Sequence, residues 1–363
     1  MAILSAGLAQ TTDRLGAPPN VISPAPREEW AAVLSTDPLA LVSQSPTWLD
    51  CVCTLAGAED SSRYYEWPDG RRIILPLVRR RYGPGLTRQS SLSDGWGIGG
   101  PIGSAAITRD DIELLLTDLK RLDSLQTSIR PNPLSGSIWA AARVPGIVAL
   151  PKLAHVLDLS GGFEQVWRQR FSSATRTKIR KAERSGLVVE CDTTGRLVPV
   201  FFDLLQQSIA RWAQQQHEPL GLARWRAERR DPLRKFQHIA RQLGALCRVW
   251  VAWANREPAA AIIVLQDQNA HYTRGAMNKT LATSTRANDL LQRLAIEDAC
   301  RAGCRYYHMG ESGSSTALAS FKSRFGAEAY GYAEYRVERW PLTRFDRRLR
   351  GLVKRLIGFR DGV

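Results

Sequence analysis

The chain has 363 residues, 44% apolar and 23% charged, a globular composition that excludes a disordered, collagen-like or disulfide-stapled chain. That length accommodates about two domains. Fifty basic residues stand against 35 acidic ones, a net charge of +15.

The excess is confined to one part of the chain. Residues 1–150 hold 14 Lys and Arg against 15 Asp and Glu, and residues 151–363 hold 36 against 20. Codon preference explains why 42 of the basic residues are Arg and only 8 Lys. It explains neither the surplus of positive charge nor its placement, which point to a polyanionic partner: nucleic acid, a phosphorylated substrate or an anionic membrane face. The N-terminus lacks the basic region and long apolar core of a signal peptide. No apolar run approaches the ~18 residues of a membrane span. Six cysteines without C-x-x-C spacing read as reduced thiols of a cytoplasmic protein. Cys300, Cys304 and His308 share a helical spacing, but Gly303 is expected to end the helix and break that face, so no metal site is expected.

In chain order, residues 1–30 read as a loose lead-in, followed by helical periodicity from Trp30 to Ala56, with Ser45-Pro46 as a helix start. Arg63–Trp67 and Arg72–Arg79 read as a hairpin around Asp69-Gly70. The glycine-rich stretch 94–103 lacks the phosphate-loop pattern and reads as a connection. A helix over Ile112–Leu122, a strand at Thr127–Ile129 and a Pro-rich connection complete the first half. The second half reads as strand His155–Leu159, helix Phe163–Ser172, basic helix Arg176–Arg184 and strand Leu187–Cys191. A long helix over Leu197–Gln215 and a basic helical stretch at 221–244 follow. Strands Leu246–Ala254, Ala259–Gln266 and His271–Gly275 then form a meander. Helix Asn288–Ala302, strand Arg305–Met309, helix Thr316–Arg324 and strand Ala327–Glu338 close the order.

That order resembles the GNAT acyltransferase fold, and three segments make the resemblance specific. They are Trp167-x8-Arg176-x3-Arg180-Lys181, then Asn288 to Gly303 with Tyr306 to Gly310, then Leu318-Ala-Ser-Phe321-Lys322-Ser-Arg-Phe325-Gly326. Together they are similar to the Fem-type (FemAB-like) peptidyl transferase group. The expected architecture is a mixed α/β protein of two tandem GNAT-like domains with a cleft between them. The first, worn domain spans 31–150, the second 151–340, and a basic amphipathic helix occupies 341–363.

The resemblance implies aminoacyl transfer from aminoacyl-tRNA to an amine on a peptide-like or nucleotide-linked acceptor, forming an amide bond. Direct attack on an ester needs positioning, proton removal and oxyanion stabilisation, without a covalent enzyme intermediate or a bound cofactor. It implies that Lys322 stabilises developing negative charge and that Phe321 walls the donor site. It likewise implies Arg211 on substrate phosphate and Tyr272 facing substrate. As bare spacing, Phe321 and Phe325 are a helix core face, Arg211 and Lys322 are exposed helix cations, and Tyr272 is strand packing. A lysine on so short a helix is expected to contribute little to folding.

Arg176, Lys178, Arg180, Lys181 and Arg184 surround a helix with only Glu183 as acid, which suits tRNA or phosphate contact. Arg224, Arg226, Arg229, Arg230, Arg234 and Lys235, interleaved with Trp225 and Phe236, fit either stacking on RNA or anchoring a helix. The stretch 281–288 has no glycine where a CoA-dependent GNAT carries its pyrophosphate loop. That departure favours tRNA over the alternative donor, acyl-CoA. A non-catalytic RNA-binding protein is the remaining alternative. The tail 341–360 alternates leucines and arginines at helical spacing, suited to an anionic membrane, to RNA, or to packing back on the domain.

Overall fold

A computed structural model describes residues 17–92, 95–313 and 315–360. Strand β1 (Asn20–Ile22) leads into helices α1 (Arg27–Thr36) and α2 (Pro46–Ala56). Ser45 caps α2 by accepting the Trp48 amide, with Pro46 in the first turn and Gly57 left-handed at the end. The expected hairpin forms from β3 (Arg63–Glu66) and β4 (Arg72–Leu75), after a two-residue β2 (Glu59–Asp60). The second predicted strand breaks at Pro76, which has no amide to donate, and resumes as β5 (Val78–Gly83), paired with β6 (Leu86–Ser91). Next come β7 (Ile102–Gly103), α3 (Arg109–Lys120), β8 (Gln126–Ile129) and α4 (Gly136–Ala141). Thr108 and Asp111 form a reciprocal capping box on α3.

The chain then runs through β9 (Ile147–Asp158), α5 (Gly162–Gln165) with a π-helical turn, α6 (Ser173–Glu183) and β10 (Val188–Asp192). Helices α7 (Val198–Gln215), α8 (Leu220–Arg230) and α9 (Leu233–Leu243) follow, the last two parted at Asp231-Pro232. The meander is β11 (Cys247–Ala254), β12 (Glu257–Gln266) and β13 (Ala270–Met277). Helices α10 (Lys279–Thr285) and α11 (Ala287–Arg301), strand β14 (Tyr306–Glu311), helix α12 (Thr316–Ser323), strand β15 (Glu328–Glu338) and helix α13 (Leu342–Leu356) complete the order.

Two sheets result. A small one has the order β1-β3-β4-β7, and an 11-stranded mixed sheet has the order β10-β11-β12-β13-β14-β9-β15-β8-β6-β5-β2. The expected mixed α/β architecture holds, but the two halves are knitted into one sheet. Strand β15 lies antiparallel to β9 from Glu328 to Val337 and, on its other side, to β8 from Tyr335 to Glu338. Strand β9 begins at Ile147, well before the expected His155, because its N-terminal stretch pairs with β15. The lead-in expected over residues 1–30 contains β1, which adds to the small sheet, and the start of α1 at Arg27, and its residues 1–16 lie outside the described residues.

Among the described residues, three apolar cores follow from these layers. One joins Trp30, Trp48 and Ile74 of the first half to Phe201, Leu204, Ile239 and Val249 of the second. Another sits on the opposite sheet face, where Phe171, Ile179, Leu291 and Phe325 pack. The third holds Trp139 of α4 against Tyr335 of β15, ring centroids 4.9 Å apart. Trp139→Ala empties a fully buried site beside the shared strand. It is expected to cost about 3–5 kcal/mol in urea denaturation, the usual range for a buried aromatic.

Candidate active site at the parting of two strands

Strands β13 and β14 run parallel but share only two rungs, Ala270 with Tyr307 and His271 with His308. Beyond these the strands separate. A register shift between His308 and Gly310 marks the departure on β14, and one opposite Tyr272 marks it on β13. Tyr272 folds its ring over Gly275, and a Cβ at that position would push against the phenol oxygen. Burial raises the Tyr272 hydroxyl to about 12, so it stays protonated.

Lys322 is 1% exposed and donates from Nζ to the carbonyls of Gly310 (2.8 Å) and Glu311 (2.7 Å). The bare-spacing reading of Lys322 as an exposed helix cation is therefore corrected: helix α12 turns it inward at the end of β14. Burial lowers its pKa to about 8, against the opposing pull of Glu311. An ammonium has three donors, and two are taken here. Phe321 sits half-buried against Phe325, centroids 5.2 Å apart, beneath the Arg324 guanidinium. Arg211 reaches the end of β13 from α7, donating to the Met277 carbonyl at 3.2 Å.

The basic helix α6 divides its cations. Arg176 turns onto the carbonyls of Trp167, Arg168 and Phe171, closing the π-helical turn. Lys178 stands with Arg286 and Arg324 around the buried Asp289 at the start of α11. Arg180, Lys181 and Arg184 are exposed. The stretch 281–288 forms most of α10 and a left-handed Arg286 rather than an open loop. Asp289 then occupies the first turn of α11.

Two features carried no signal that spacing could reveal. The first is a buried histidine group. His155 is hydrogen-bonded at Nδ1 to Ser312 Oγ (3.1 Å), and His271 packs 6.1 Å from His308. Among the described residues, His271 Nδ1 and both ring nitrogens of His308 lack hydrogen-bond partners. The second is a polar network joining the halves. Asp231 accepts from Lys235 (2.9 Å) and Arg274 (3.1 Å), and Lys235 also donates to the Gly95 carbonyl (2.7 Å) and lies over the Trp96 ring. The cations around Asp231 hold its carboxyl well below the usual range. Beside this network opens a cavity of about 750 Å³, lined by Arg80, Arg224, Arg229, Arg234, Trp96 and Trp225.

Sheet order, the parted strands and the helices around them define an acyltransferase fold of the GNAT type. Residues 169–330 match the acetyltransferase (GNAT) domain family. The chain is similar in fold to the crystal structure of FemX, with a TM-score of 0.63, 12% identity, and coverage of 88% of this chain and 97% of that one. It is also similar to a conserved protein of unknown function from Bacteroides thetaiotaomicron, with a TM-score of 0.53, 9% identity, and coverage of 87% and 98%. Comparison with curated proteins finds no match. Domain family and fold agree with the Fem-type resemblance of the motifs and support an acyltransferase.

The histidines make the fold acid-sensitive in a predictable way. Burial pulls His271 down to about 4 and His308 to about 3, whereas both titrate near 6.5 in the unfolded chain. Below that value the unfolded state binds more protons, so stability falls as pH drops, by about 1.4 kcal/mol per pH unit for each group. Urea titrations at pH 7, 6 and 5 should show this slope, and His308→Leu should flatten it.

Proposed function

We propose that this protein transfers an aminoacyl group from tRNA to the amine of a peptide-like or nucleotide-linked acceptor, without a bound cofactor. The observation that carries the reading is Lys322, buried at the parting of β13 and β14 with two of its three donors fixed. In this reading the acceptor amine attacks the ester carbonyl, and the third N–H of Lys322 meets the oxyanion. The amine then gives up a proton, which is passed on to the ester oxygen so that it leaves as a hydroxyl. His155 is kept neutral by burial and by the Lys322 charge, and serves as the acceptor for that proton. Tyr272 and Phe321 bound the reacting groups, and Arg211 holds an anionic part of the substrate.

The choice of tRNA rests on charge and on the start of α11. Arg180, Lys181 and Arg184 stand exposed on α6, and further arginines line the large cavity. Asp289 occupies the first turn of α11, at the end of the glycine-free stretch that stands where a CoA-dependent GNAT carries its glycine loop. A second reading, acyl-CoA-dependent N-acylation, is favoured by the acetyltransferase domain match over 169–330.

Charged tRNAs and acyl-CoAs supplied side by side separate the two readings. Product should depend on tRNA and vanish with ribonuclease, whereas persistent transfer from acyl-CoA without RNA would establish the second.

Lys322→Ala should lower single-turnover transfer by about 100-fold or more, the scale for losing one oxyanion donor. It should also cost about 1–3 kcal/mol of stability, because buried carbonyls lose their donor. Transfer by the parent protein should decline as pH rises through about 8, where the buried ammonium loses its charge. Activity that climbs through that range would instead mark the neutral amine as the working form.

A further inference from the structure

Helix α13 follows the last strand and is held at its two ends. Thr343 is its buried residue; its amide and hydroxyl donate to Glu338, and it accepts from Arg336 (2.9 Å). Past the far end, the Arg360 amide donates to the Gln216 carbonyl at the close of α7 (3.0 Å). Between these anchors the apolar side chains do not pack back on the protein. Phe345 is 70% exposed, Leu352 58% and Leu356 84%, with Leu349 and Val353 also exposed.

At 100° per residue, Phe345, Leu349, Leu352, Val353 and Leu356 fall within an arc of about 100°. Arg344, Arg347, Arg348, Arg350, Lys354 and Arg355 fill the remaining surface and border the arc on both sides. Asp346 is the single acid of the helix, and it pairs with Arg350. Trp340, 60% exposed, stands just before the helix.

We infer that α13 is a docking helix for an anionic lipid surface, with its leucines and Phe345 entering the headgroup boundary and its arginines meeting lipid phosphates. The two halves of this pattern select that occupant. RNA would engage the arginines and leave five large apolar groups in water. A second copy of the helix would cover those groups but bring arginine borders together on both sides, which like charges oppose. A bilayer with acidic headgroups satisfies both faces at once, and an exposed tryptophan at the helix start suits the same interface.

The test is flotation of the full-length protein with vesicles of phosphatidylcholine alone and of phosphatidylcholine with phosphatidylglycerol. The protein should float with the anionic vesicles and remain in solution with the neutral ones. The triple variant Phe345→Ser, Leu352→Ser, Leu356→Ser should weaken vesicle binding by about 10-fold or more, since burial of apolar groups scales with area. Its melting curve should match the parent, because these side chains are already in water. Failure to bind anionic vesicles would overturn the proposal. So would undiminished binding by the triple variant, which would reduce the helix to a generic cationic surface such as RNA also attracts. A concentration-dependent dimer that the triple variant abolishes, with no vesicle binding, would assign the face to a second copy instead.

Discussion

Past His271 and His308, strands β13 and β14 have no rung in common, and their backbone polar groups must find other partners. The molecule meets this demand with side chains rather than with a third strand. Lys322 takes the carbonyls of Gly310 and Glu311, and Arg211 with Ser208 takes that of Met277. Filling the gap with backbone would close the sheet. Filling it with donors on α7 and α12 satisfies those carbonyls while leaving the two strands apart.

The same substitution of side chain for backbone holds the two halves together. Asp231 would be costly to bury alone. It is surrounded by Lys235, Arg230 and Arg274, and Lys235 continues to the Gly95 carbonyl and the Trp96 face. Burial pulls the Lys235 ammonium down to about 8 while Asp231 resists the shift. The glycine-rich stretch is thus a connection, as its pattern indicates, yet Gly95 and Trp96 are pinned from the second half. Gln44 and Ser43 secure the loop from the other side by bonding to backbone carbonyls from Ile98 to Pro101.

Elements with strong local chemistry were legible in the sequence. Ser45-Pro46 and Asp69-Gly70 each set a boundary through bonds within a few residues. The meander and the ending of α11 before Gly303 were readable for the same reason. What was not legible depends on partners far along the chain. The true start of β9 is set by β15, some 180 residues later, and Pro151 offered no hint of a strand. The inward turn of Lys322 could not be read from helix spacing, since the carbonyls that draw it in belong to another element. Burial of His155, His271 and His308 follows from sheet register, which places three isolated histidines near one another.

The placement of β15 has a consequence for how the polypeptide is made. Strand β8 emerges from the ribosome about 200 residues before the strand that covers its free edge. Until residue 338 is out, β8 and the N-terminal part of β9 each present an unsatisfied ladder of amides and carbonyls. The large sheet is therefore completed from its middle, by β15, and the nascent first half waits for the second with an adhesive edge exposed. Short length and polarity make that wait tolerable: β8 is four residues, Gln-Thr-Ser-Ile, which attracts stray strands far less than a long apolar edge would.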